Sequence, residues 1–257
     1  YPREQSTIFI GLAACSVPCL PTPEFSTPMS DLLSSVAVII PALNEEESLP
    51  YVLDGIPDVG AIFVVDNGST DNTATIAEEH GATVLSEPNT GYGNACKKGI
   101  TAANESGLGV VVILDGDNSF DPREMDRLVA PIVNDEADMV LGDRTDTAEP
   151  GALLPQQRFG NWVATSLIHR ITGHPYRDMG PFRAIRTETL LRLDMEDPNY
   201  GWNVEMQMKA IQHGYRVIEV PVSCRCRIAG DSKISGSLRS AVRCGAKMML
   251  ATWRYAR

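Results

Sequence analysis

Short apolar runs alternate with segments of helical periodicity through the middle of the chain, and this alternation limits the possible folds more than any other feature of the sequence. The first run, residues 35–40, is rich in β-branched residues and ends at Pro41, which indicates a buried strand. The same reasoning predicts strands at residues 61–65, 82–85, 109–114 and 138–141, with helices at residues 69–79, 93–103 and 121–133. Strand, helix and strand in succession form crossover units, so we expect an α/β fold whose mainly parallel central sheet has helices on both faces.

The pattern changes after Arg144, where a polar loop interrupts the alternation. Beyond it the sequence predicts helices at residues 155–171 and 202–213 and strands at residues 181–185, 217–220 and 222–228.

We expect three parts in the chain. Residues 1–30 read as a poorly ordered extension or a targeting remnant, and residues 31–236 as one α/β domain. Residues 237–257 read as a basic amphipathic helix, since residues 231–257 hold six Lys and Arg against one acidic residue. Two interpretations of that helix stay open: peripheral contact with anionic lipid headgroups, or packing on the core with a solvated basic face.

Composition excludes several classes of protein. The formal net charge is −11, from 33 acidic and 22 basic residues, which argues against a dedicated nucleic-acid binder. Six cysteines are too few for a disulfide scaffold and indicate reduced thiols in the cytoplasm. Four histidines without a zinc-binding spacing argue against a zinc enzyme, and no apolar run is long enough to predict a membrane-spanning helix.

The motif Asp115-Gly116-Asp117 directly follows the most apolar of the predicted strands. Ligands of open α/β sheets bind beyond the carboxyl ends of the strands, and the glycine allows a tight turn that brings both carboxylates to one site. Two hard oxygen donors suit Mg²⁺ or Mn²⁺, which proteins commonly bind through one or two carboxylates and substrate phosphates. We therefore predict a divalent-metal site with Asp115 and Asp117 as its ligands.

Two further motifs follow neighbouring strands. Asp66 ends the second predicted strand, where its carboxylate could accept hydrogen bonds from the N–H of a base. Gly91 and Gly93 open the helix after the third strand. A dinucleotide-binding fingerprint is disfavoured there, because Cys96 stands at the last glycine position and the motif does not follow the first strand. A glycine-rich helix start beside a nucleotide remains the interpretation.

The order of these motifs resembles that of family 2 glycosyltransferases. The residues that carry the resemblance are 38–45, 66–70, 91–93, 115–117 and 142–144, followed by 180–186, 200–206, Arg227 and Lys233. The later segments narrow the resemblance to the polyprenyl-phosphate sugar synthases of the dolichol-phosphate mannosyltransferase type. The resemblance implies a GT-A fold and an inverting, metal-dependent transfer of a hexose from a nucleotide diphosphate.

By position, the resemblance also implies roles for individual residues. Those expected to bind the nucleotide sugar are Pro41, Leu43, Glu45, Asp66, Gly91, Gly93, Asp115, Gly116, Arg144, Arg227 and Lys233. Arg227 and Lys233 would reach the phosphates, and Arg144 and Arg183 would meet the sugar or the acceptor's phosphate. The expected catalytic residues are Asp117, Arg183 and Glu205.

Two residues depart from the pattern of the resembled family. Asn67 stands where many relatives have a second aspartate, so the contact to the nucleoside is expected to differ there. Pro181 stands where relatives often have serine or glycine, which would reshape the mouth of the acceptor site.

The role expected of Glu205 depends on the acceptor. A hydroxyl acceptor needs a base, and Glu205 would be that base. A phosphate acceptor is already anionic, so Glu205 would then orient the sugar or an arginine, and a glutamate on a helix surface is the remaining interpretation.

We therefore expect a cytoplasmic enzyme, at the inner face of a membrane, that moves a hexose from UDP- or GDP-hexose to a polyprenyl phosphate. The first alternative is the same transferase acting on a hydroxyl acceptor. The second is a non-catalytic protein that binds a nucleotide sugar. The sequence leaves the base, the hexose, the lipid and the oligomeric state open.

Overall fold

A computed structural model of the chain describes residues 32–228 and 250–255. Its strands are β1 (Val36–Ala42), β2 (Ala61–Asp66), β3 (Thr83–Ser86), β4 (Val110–Ile113), β5 (Met139–Asp143), β6 (Arg183–Arg186) and β7 (Val217–Pro221). Its helices are α1 (Leu49–Gly55), α2 (Thr73–Glu79), α3 (Tyr92–Glu105), α4 (Met125–Val133), α5 (Pro155–Thr172), α6 (Thr187–Arg192) and α7 (Trp202–Gln212), with a 3₁₀ turn at Pro122–Glu124. Residues 250–254 are also helical.

The seven strands form one sheet in the order β3-β2-β1-β4-β6-β5-β7. β1 pairs in parallel with β2 and β4, β2 with β3, and β5 with β7. Only β6, among these strands, runs antiparallel to its neighbours. The predicted fold class, a mainly parallel sheet in an α/β protein, is therefore confirmed. The carboxyl ends of β1, β2, β4 and β5 share one edge of the sheet, which is where the polar motifs lie.

Helices cover both faces of the sheet, as the apolar strands require. On β1, Ala37 and Ile39 belong to one buried cluster, together with apolar residues of α3, α5, α6 and α7. Val38 and Ile40 belong to the other cluster, with apolar residues of α1, α2 and α4. Because side chains of a strand alternate between its two faces, each strand contributes to both halves of the core.

The observed elements depart from the prediction in three places. The strand predicted at residues 222–228 does not form, because β7 ends at Pro221, which has no N–H for the ladder, and only Cys224 makes an isolated bridge, to Ala148. The helix predicted from residue 69 begins at Thr73. Helix α6 was not predicted.

Part of the prediction lies outside the described residues. This applies to the extension at residues 1–30, to Lys233, and to most of the C-terminal helix and the loop before it. The division into three parts therefore stays a prediction. Within the parts that the structure describes, no helix is both long enough and apolar enough to cross a bilayer.

Candidate active site

A cleft of about 330 Å³ opens at the edge where the parallel strands end. Of the residues predicted to bind a nucleotide sugar or a metal, the structure brings eight into its lining: Pro41, Leu43, Glu45, Gly91, Asp115, Gly116, Asp117 and Arg227. They come from the loops after β1 and β4, from the start of α3 and from the segment after β7. Residues more than 180 positions apart in sequence therefore meet in one cleft because their strands end side by side.

Asp115 and Asp117 follow β4 and line the cleft together. Asp117 is buried, and its Oδ1 accepts a hydrogen bond from the Ser119 N–H at 2.9 Å. Burial raises the pKa of Asp115 to about 7, repulsion by Asp117 adds to this, and Arg227 and Arg144 act in the opposite direction. Two carboxylates so close to each other disfavour their joint ionisation unless a cation is present.

Glu45 adds a third carboxylate beside the pair. The Ser48 hydroxyl lies 2.9 Å from Glu45 Oε2 and 2.9 Å from the Gly116 carbonyl oxygen, so it links the loop after β1 to the loop after β4. Glu45 also acts on Asp115 by charge repulsion. The cleft is therefore strongly acidic at the end of β4.

Arg227 lies opposite these acids. Its Nη2 is 2.6 Å from Asp117 Oδ2, and about a third of its side chain is exposed. The chain reaches this position because the Arg225 N–H donates to the Ser119 carbonyl at 2.8 Å and the Arg225 side chain pairs with Asp121 at 2.5 Å. The segment after β7 is thus fastened to the loop after β4.

The two carboxylates of Asp115 and Asp117 suit a hard divalent cation whose other ligands come from water or substrate. No group of three or more His, Cys, Asp or Glu side chains is arranged to hold a metal among residues 32–228 and 250–255. Asp115 and Asp117 would supply two carboxylate ligands, and the remaining positions would be left to water and phosphate oxygens, which is common for Mg²⁺ and Mn²⁺. The excess of negative charge around Asp115 supports this assignment.

The Asn67 side chain fastens the loop before α3, at the position where aspartate was expected from the family resemblance. Its Nδ2 donates to the carbonyls of Glu87 and Asn89, both at 2.9 Å, and its Oδ1 accepts from the Gly91 N–H at 2.7 Å. An aspartate would have no N–H for the two carbonyls. Asn67 therefore fixes the loop before α3 with its side chain, although it also lines the cleft.

Apart from Asn67, the polar residues of the cleft lining that were not among the predicted site residues are Thr90, Tyr92, Asn199 and Tyr200. The Tyr92 hydroxyl lies 3.5 Å from Asp115 Oδ1, and burial raises the pKa of Tyr92. Its position between Gly91 and Gly93 was a usable signal for Tyr92. Tyr200 opens the segment of residues 200–206 that carries part of the family resemblance, which was a signal as well. Asn199 had none, since it reaches the cleft only through tertiary packing.

A second, larger cavity of about 520 Å³ lies between α5 and the loops after β5 and before β6. Its basic lining residues are Arg144, Arg158, His169 and Arg177, and its apolar ones include Leu153, Trp162 and Tyr176. Two aspartates, Asp146 and Asp178, also line it and pair with Arg177 and Arg144. Arg144 Nε pairs with the buried Asp178 at 3.0 Å, and the same arginine is close enough to act on the charge of Asp115. Arg144 therefore lies between the two cavities.

Comparison with known proteins identifies the family. The model of glycosyl transferase family 2 matches residues 37–192, which is more than half of the chain. The chain belongs to this family. It is therefore an enzyme of the glycosyltransferase class, and the resemblance seen in the sequence is confirmed.

Two proteins of this family are similar to most of this chain. An uncharacterized glycosyltransferase of Mycobacterium tuberculosis is 41% identical over 209 residues, which cover 81% of this chain and 93% of that protein. The undecaprenyl-phosphate mannosyltransferase of Micrococcus luteus is 34% identical over 218 residues, with 79% and 88% coverage.

The structure of glucosyl-3-phosphoglycerate synthase from Mycobacterium tuberculosis, in complex with Mn²⁺, UDP and glucosyl-3-phosphoglycerate, superposes with a TM-score of 0.72. The identity is 19%, over 92% of this chain and 86% of that one. This likeness confirms the GT-A fold.

Besides Arg144, four predicted site residues of this glycosyltransferase lie outside the cleft lining. Asp66 is half-buried at the end of β2, and its Oδ1 accepts from the Ser69 N–H at 3.0 Å, which closes a local turn. Gly93 is buried in the first turn of α3, where a Cβ atom would collide with the Asp197 carbonyl oxygen. In the structure it allows close packing against residues 197–198, and its contact with the nucleotide sugar stays a prediction.

Arg183 and Glu205, two of the three expected catalytic residues, are fully buried. Arg183 donates to the carbonyls of Gly180 and Pro181, and burial lowers its pKa. Its guanidinium is close enough to act on the charge of Asp115 but has no exposed surface and lines neither cavity. Glu205 points away from the cleft into a cluster of its own, described below. An acceptor hydroxyl in either cavity would not meet its carboxylate, which differs from the expectation of a base.

Proposed function

We propose that the protein transfers a hexose from a nucleoside diphosphate sugar to a polyprenyl phosphate, with inversion at the anomeric carbon. The observation that carries this proposal is an acidic cleft beside a second cavity whose lining holds three arginines against two aspartates. Arg144 of the second cavity is close enough to act on the charge of Asp115 in the first. The acidic cleft suits a metal-bound diphosphate and the basic cavity suits an anionic acceptor. Similar proteins support the lipid acceptor, since they include an undecaprenyl-phosphate mannosyltransferase and a polyprenol monophosphomannose synthase.

The donor would lie in the cleft of Pro41, Leu43 and Tyr200, with its diphosphate at the end of β4. Asp115 and Asp117 would hold Mg²⁺ or Mn²⁺, which when bound neutralises the diphosphate and makes it a better leaving group. Arg227 would add a positive charge on the opposite side, since its guanidinium already lies 2.6 Å from Asp117. The Mn²⁺ and UDP in the structure of the glucosyl-3-phosphoglycerate synthase support this arrangement.

The acceptor phosphate would enter the second cavity and meet Arg144 and Arg158. One of its oxygens forms the new bond to the anomeric carbon while the bond from that carbon to the diphosphate oxygen breaks, and the electron pair leaves with the diphosphate. No proton has to be removed from an anionic phosphate oxygen, so no base is required. The burial of Glu205 agrees with a reaction of this kind.

The lipid part of the acceptor would lie along α5. Phe159 and Trp162 are 66% and 62% exposed on this helix, and their ring centroids are 6.0 Å apart. Trp162 also lines the basic cavity, and α5 carries Arg158, His169 and Arg170 without any acidic residue. Exposed aromatic residues among basic ones are typical of surfaces that bind membranes with anionic headgroups. We therefore propose peripheral attachment to a membrane through α5.

The test is a transfer assay with purified protein, UDP- and GDP-hexoses, and three acceptors: a polyprenyl phosphate, the matching polyprenol and 3-phosphoglycerate. We expect product with the lipid phosphate only, in the presence of Mg²⁺ or Mn²⁺, and none with EDTA. Transfer to the polyprenol would support the hydroxyl-acceptor alternative, and transfer to 3-phosphoglycerate would match the neighbour structures. Binding of nucleotide sugars without any transfer would favour a non-catalytic binding protein.

A further inference from the structure

The carboxylate of Glu205 is the most completely enclosed acid among the described residues, with no exposed surface. Its Oε1 accepts from the Glu196 N–H and its Oε2 accepts from the Asp197 N–H, both at 2.7 Å. Lys209 Nζ lies 2.7 Å from Oε1, one helical turn further along α7. Both oxygens of Glu205 are therefore occupied by donors that belong to the protein.

The two backbone amides that Glu205 binds begin the segment of residues 196–200, which packs against the start of α3. The Pro198 carbonyl accepts from the Asn94 N–H at 3.2 Å. The approach is so close that a Cβ atom on Gly91 would collide with the Pro198 carbonyl oxygen, and one on Gly93 with that of Asp197. The glycines and the segment thus fix each other's position.

The same segment continues into the cleft. Asp197 Oδ1 accepts from the N–H groups of Asn199 and Gly201, at 2.8 and 3.1 Å, which holds the turn in place. Asn199 and Tyr200 then form the wall of the cleft opposite Pro41 and Leu43. A continuous series of contacts leads from the buried carboxylate to the surface that would meet the donor.

We infer that Glu205 is a positioning residue for donor binding: it sets residues 196–200 against the start of α3 and so places Asn199 and Tyr200 in the cleft. This inference rests on the proposed function, because it takes the ligand of the cleft to be a nucleotide sugar. It assigns Glu205 no contact with the substrate and no proton transfer. A carboxylate is required because two adjacent N–H groups and an ammonium group all need acceptors, and an amide side chain would turn an N–H toward one of them.

A second glutamate provides a matched control on the other side of the molecule. Glu219 of β7 accepts from the Asp178 N–H at 2.9 Å and from the Arg177 N–H at 2.9 and 3.0 Å. Arg177 and Asp178 line the basic cavity and not the acidic cleft. Two glutamates that each accept from two adjacent backbone N–H groups therefore hold segments at two different cavities.

The experiment compares Glu205→Gln with Glu219→Gln in the full chain. Calorimetry with UDP and GDP in the presence of Mn²⁺ gives the nucleotide Kd, and steady-state kinetics give kcat and the KM values of both substrates. We expect Glu205→Gln to raise the nucleotide Kd and the donor KM about tenfold with kcat within about threefold, the size of effect expected when one buried N–H loses its acceptor. We expect Glu219→Gln to leave the nucleotide Kd unchanged. Asp138→Asn, which removes a carboxylate bound to the Arg216 N–H at the amino end of β5, controls for general loss of stability.

Three results would overturn the inference. The first is a Glu205→Gln variant with an unchanged nucleotide Kd and a collapsed kcat, which is the behaviour of a catalytic base. The second is a variant equal to wild type in both. The third is an equal rise of the nucleotide Kd in Asp138→Asn, which would make the effect one of stability alone.

Two further measurements keep the outcome decisive. If Glu205→Gln does not fold, Lys209→Met takes its place, since it removes one partner of the carboxylate and leaves both backbone hydrogen bonds. We expect it to raise the nucleotide Kd about threefold, and an unchanged Kd would count against the inference. Wild-type protein that binds neither UDP nor GDP would overturn the proposed function as well, whereas wild-type binding with unaffected variants would overturn the positioning role alone.

Discussion

The two cavities at the edge of the sheet are built in different ways. The acidic cleft is formed largely by loops that directly follow parallel strands, with Asp115 and Asp117 placed by the all-buried strand β4. The basic cavity is formed by one face of α5 and by loops around residues 144–146 and 175–178. The first depends on the core of the sheet, and the second on a helix packed beside it.

The charges of the two cavities differ as well. Under the proposed function, this difference lets one enzyme bind both a donor diphosphate and an acceptor phosphate. The acidic cleft holds three carboxylates, so we expect a phosphate to bind there only together with a cation. In the other cavity Asp146 and Asp178 pair with Arg177 and Arg144, whereas the exposed Arg158 can meet an anion directly. Under the proposed function we expect the metal to be needed on the donor side and not on the acceptor side.

The largest effect is expected at the end of β4. Asp117→Asn removes a charge from the proposed metal site but keeps the Ser119 N–H bonded, because the amide oxygen still accepts. Turnover should fall about a thousandfold, equivalent to roughly 4 kcal/mol, and Mn²⁺ should no longer strengthen UDP binding. Calorimetry and a transfer assay check both, with Asp138→Asn as the control. Retained metal-dependent binding of UDP would break the assignment of the acidic cleft.

The start of α3 should be nearly as sensitive to substitution. Gly93→Ala puts a Cβ atom into the Asp197 carbonyl, and we expect a loss of about 1–3 kcal/mol in the free energy of unfolding together with weaker nucleotide binding. Gly160→Ala, in α5, meets no atom within 4 Å and should instead stabilise the protein by about 0.5–1 kcal/mol. Denaturant titrations of both variants give the two values. Equal stabilities would contradict the close packing at residue 93.

On the acceptor side, Arg158 is the cleanest target because its side chain is exposed and lines the basic cavity. Arg158→Ala should raise the acceptor KM about ten- to a hundredfold and leave the nucleotide Kd as it is. Arg170→Ala removes the same charge from α5 outside the cavity lining and should change neither value by much. If both variants raise the acceptor KM equally, the charge of the helix matters and the cavity does not.

The smallest effect is expected for membrane attachment. Replacing Phe159 and Trp162 by serine should weaken binding to vesicles that contain anionic lipid by about tenfold, since both rings are exposed on α5. Tyr51→Ser, at an exposed aromatic residue of α1, should have no effect. Sedimentation with vesicles measures the bound fraction at two salt concentrations. Equal binding by the two variants would remove α5 from the proposed contact.

Much of the fold could be predicted from the sequence because its signals are local. The β-branched run before Pro41 and the all-apolar run before Asp115 both became buried strands. The motif after each strand then lay at one edge, as parallel connections require. The predicted strand at residues 222–228 failed because alternation alone does not provide a neighbour to pair with, and Pro221 ends the ladder.

Site residues that directly follow a strand could be predicted from the sequence. Residues that only tertiary packing brings to the cleft were harder to predict. Asp115, Asp117 and Glu45 reached the cleft as expected, whereas Asn199 had no local signal. The largest differences concern Arg183 and Glu205. A charged side chain is usually exposed, so the sequence could not indicate that these two are fully buried.

The sequence by itself determined the order of strands and helices and the carboxylates that follow β4, because these depend on the period of apolar residues and on adjacent turns. The tertiary structure alone decided that Arg227 faces Asp117, that Arg144 lies between two cavities, and that Glu205 binds backbone amides. Such contacts join residues far apart in the chain. They depend on how α5, α7 and the segment after β7 pack around the sheet, and no local pattern of side chains encodes that packing.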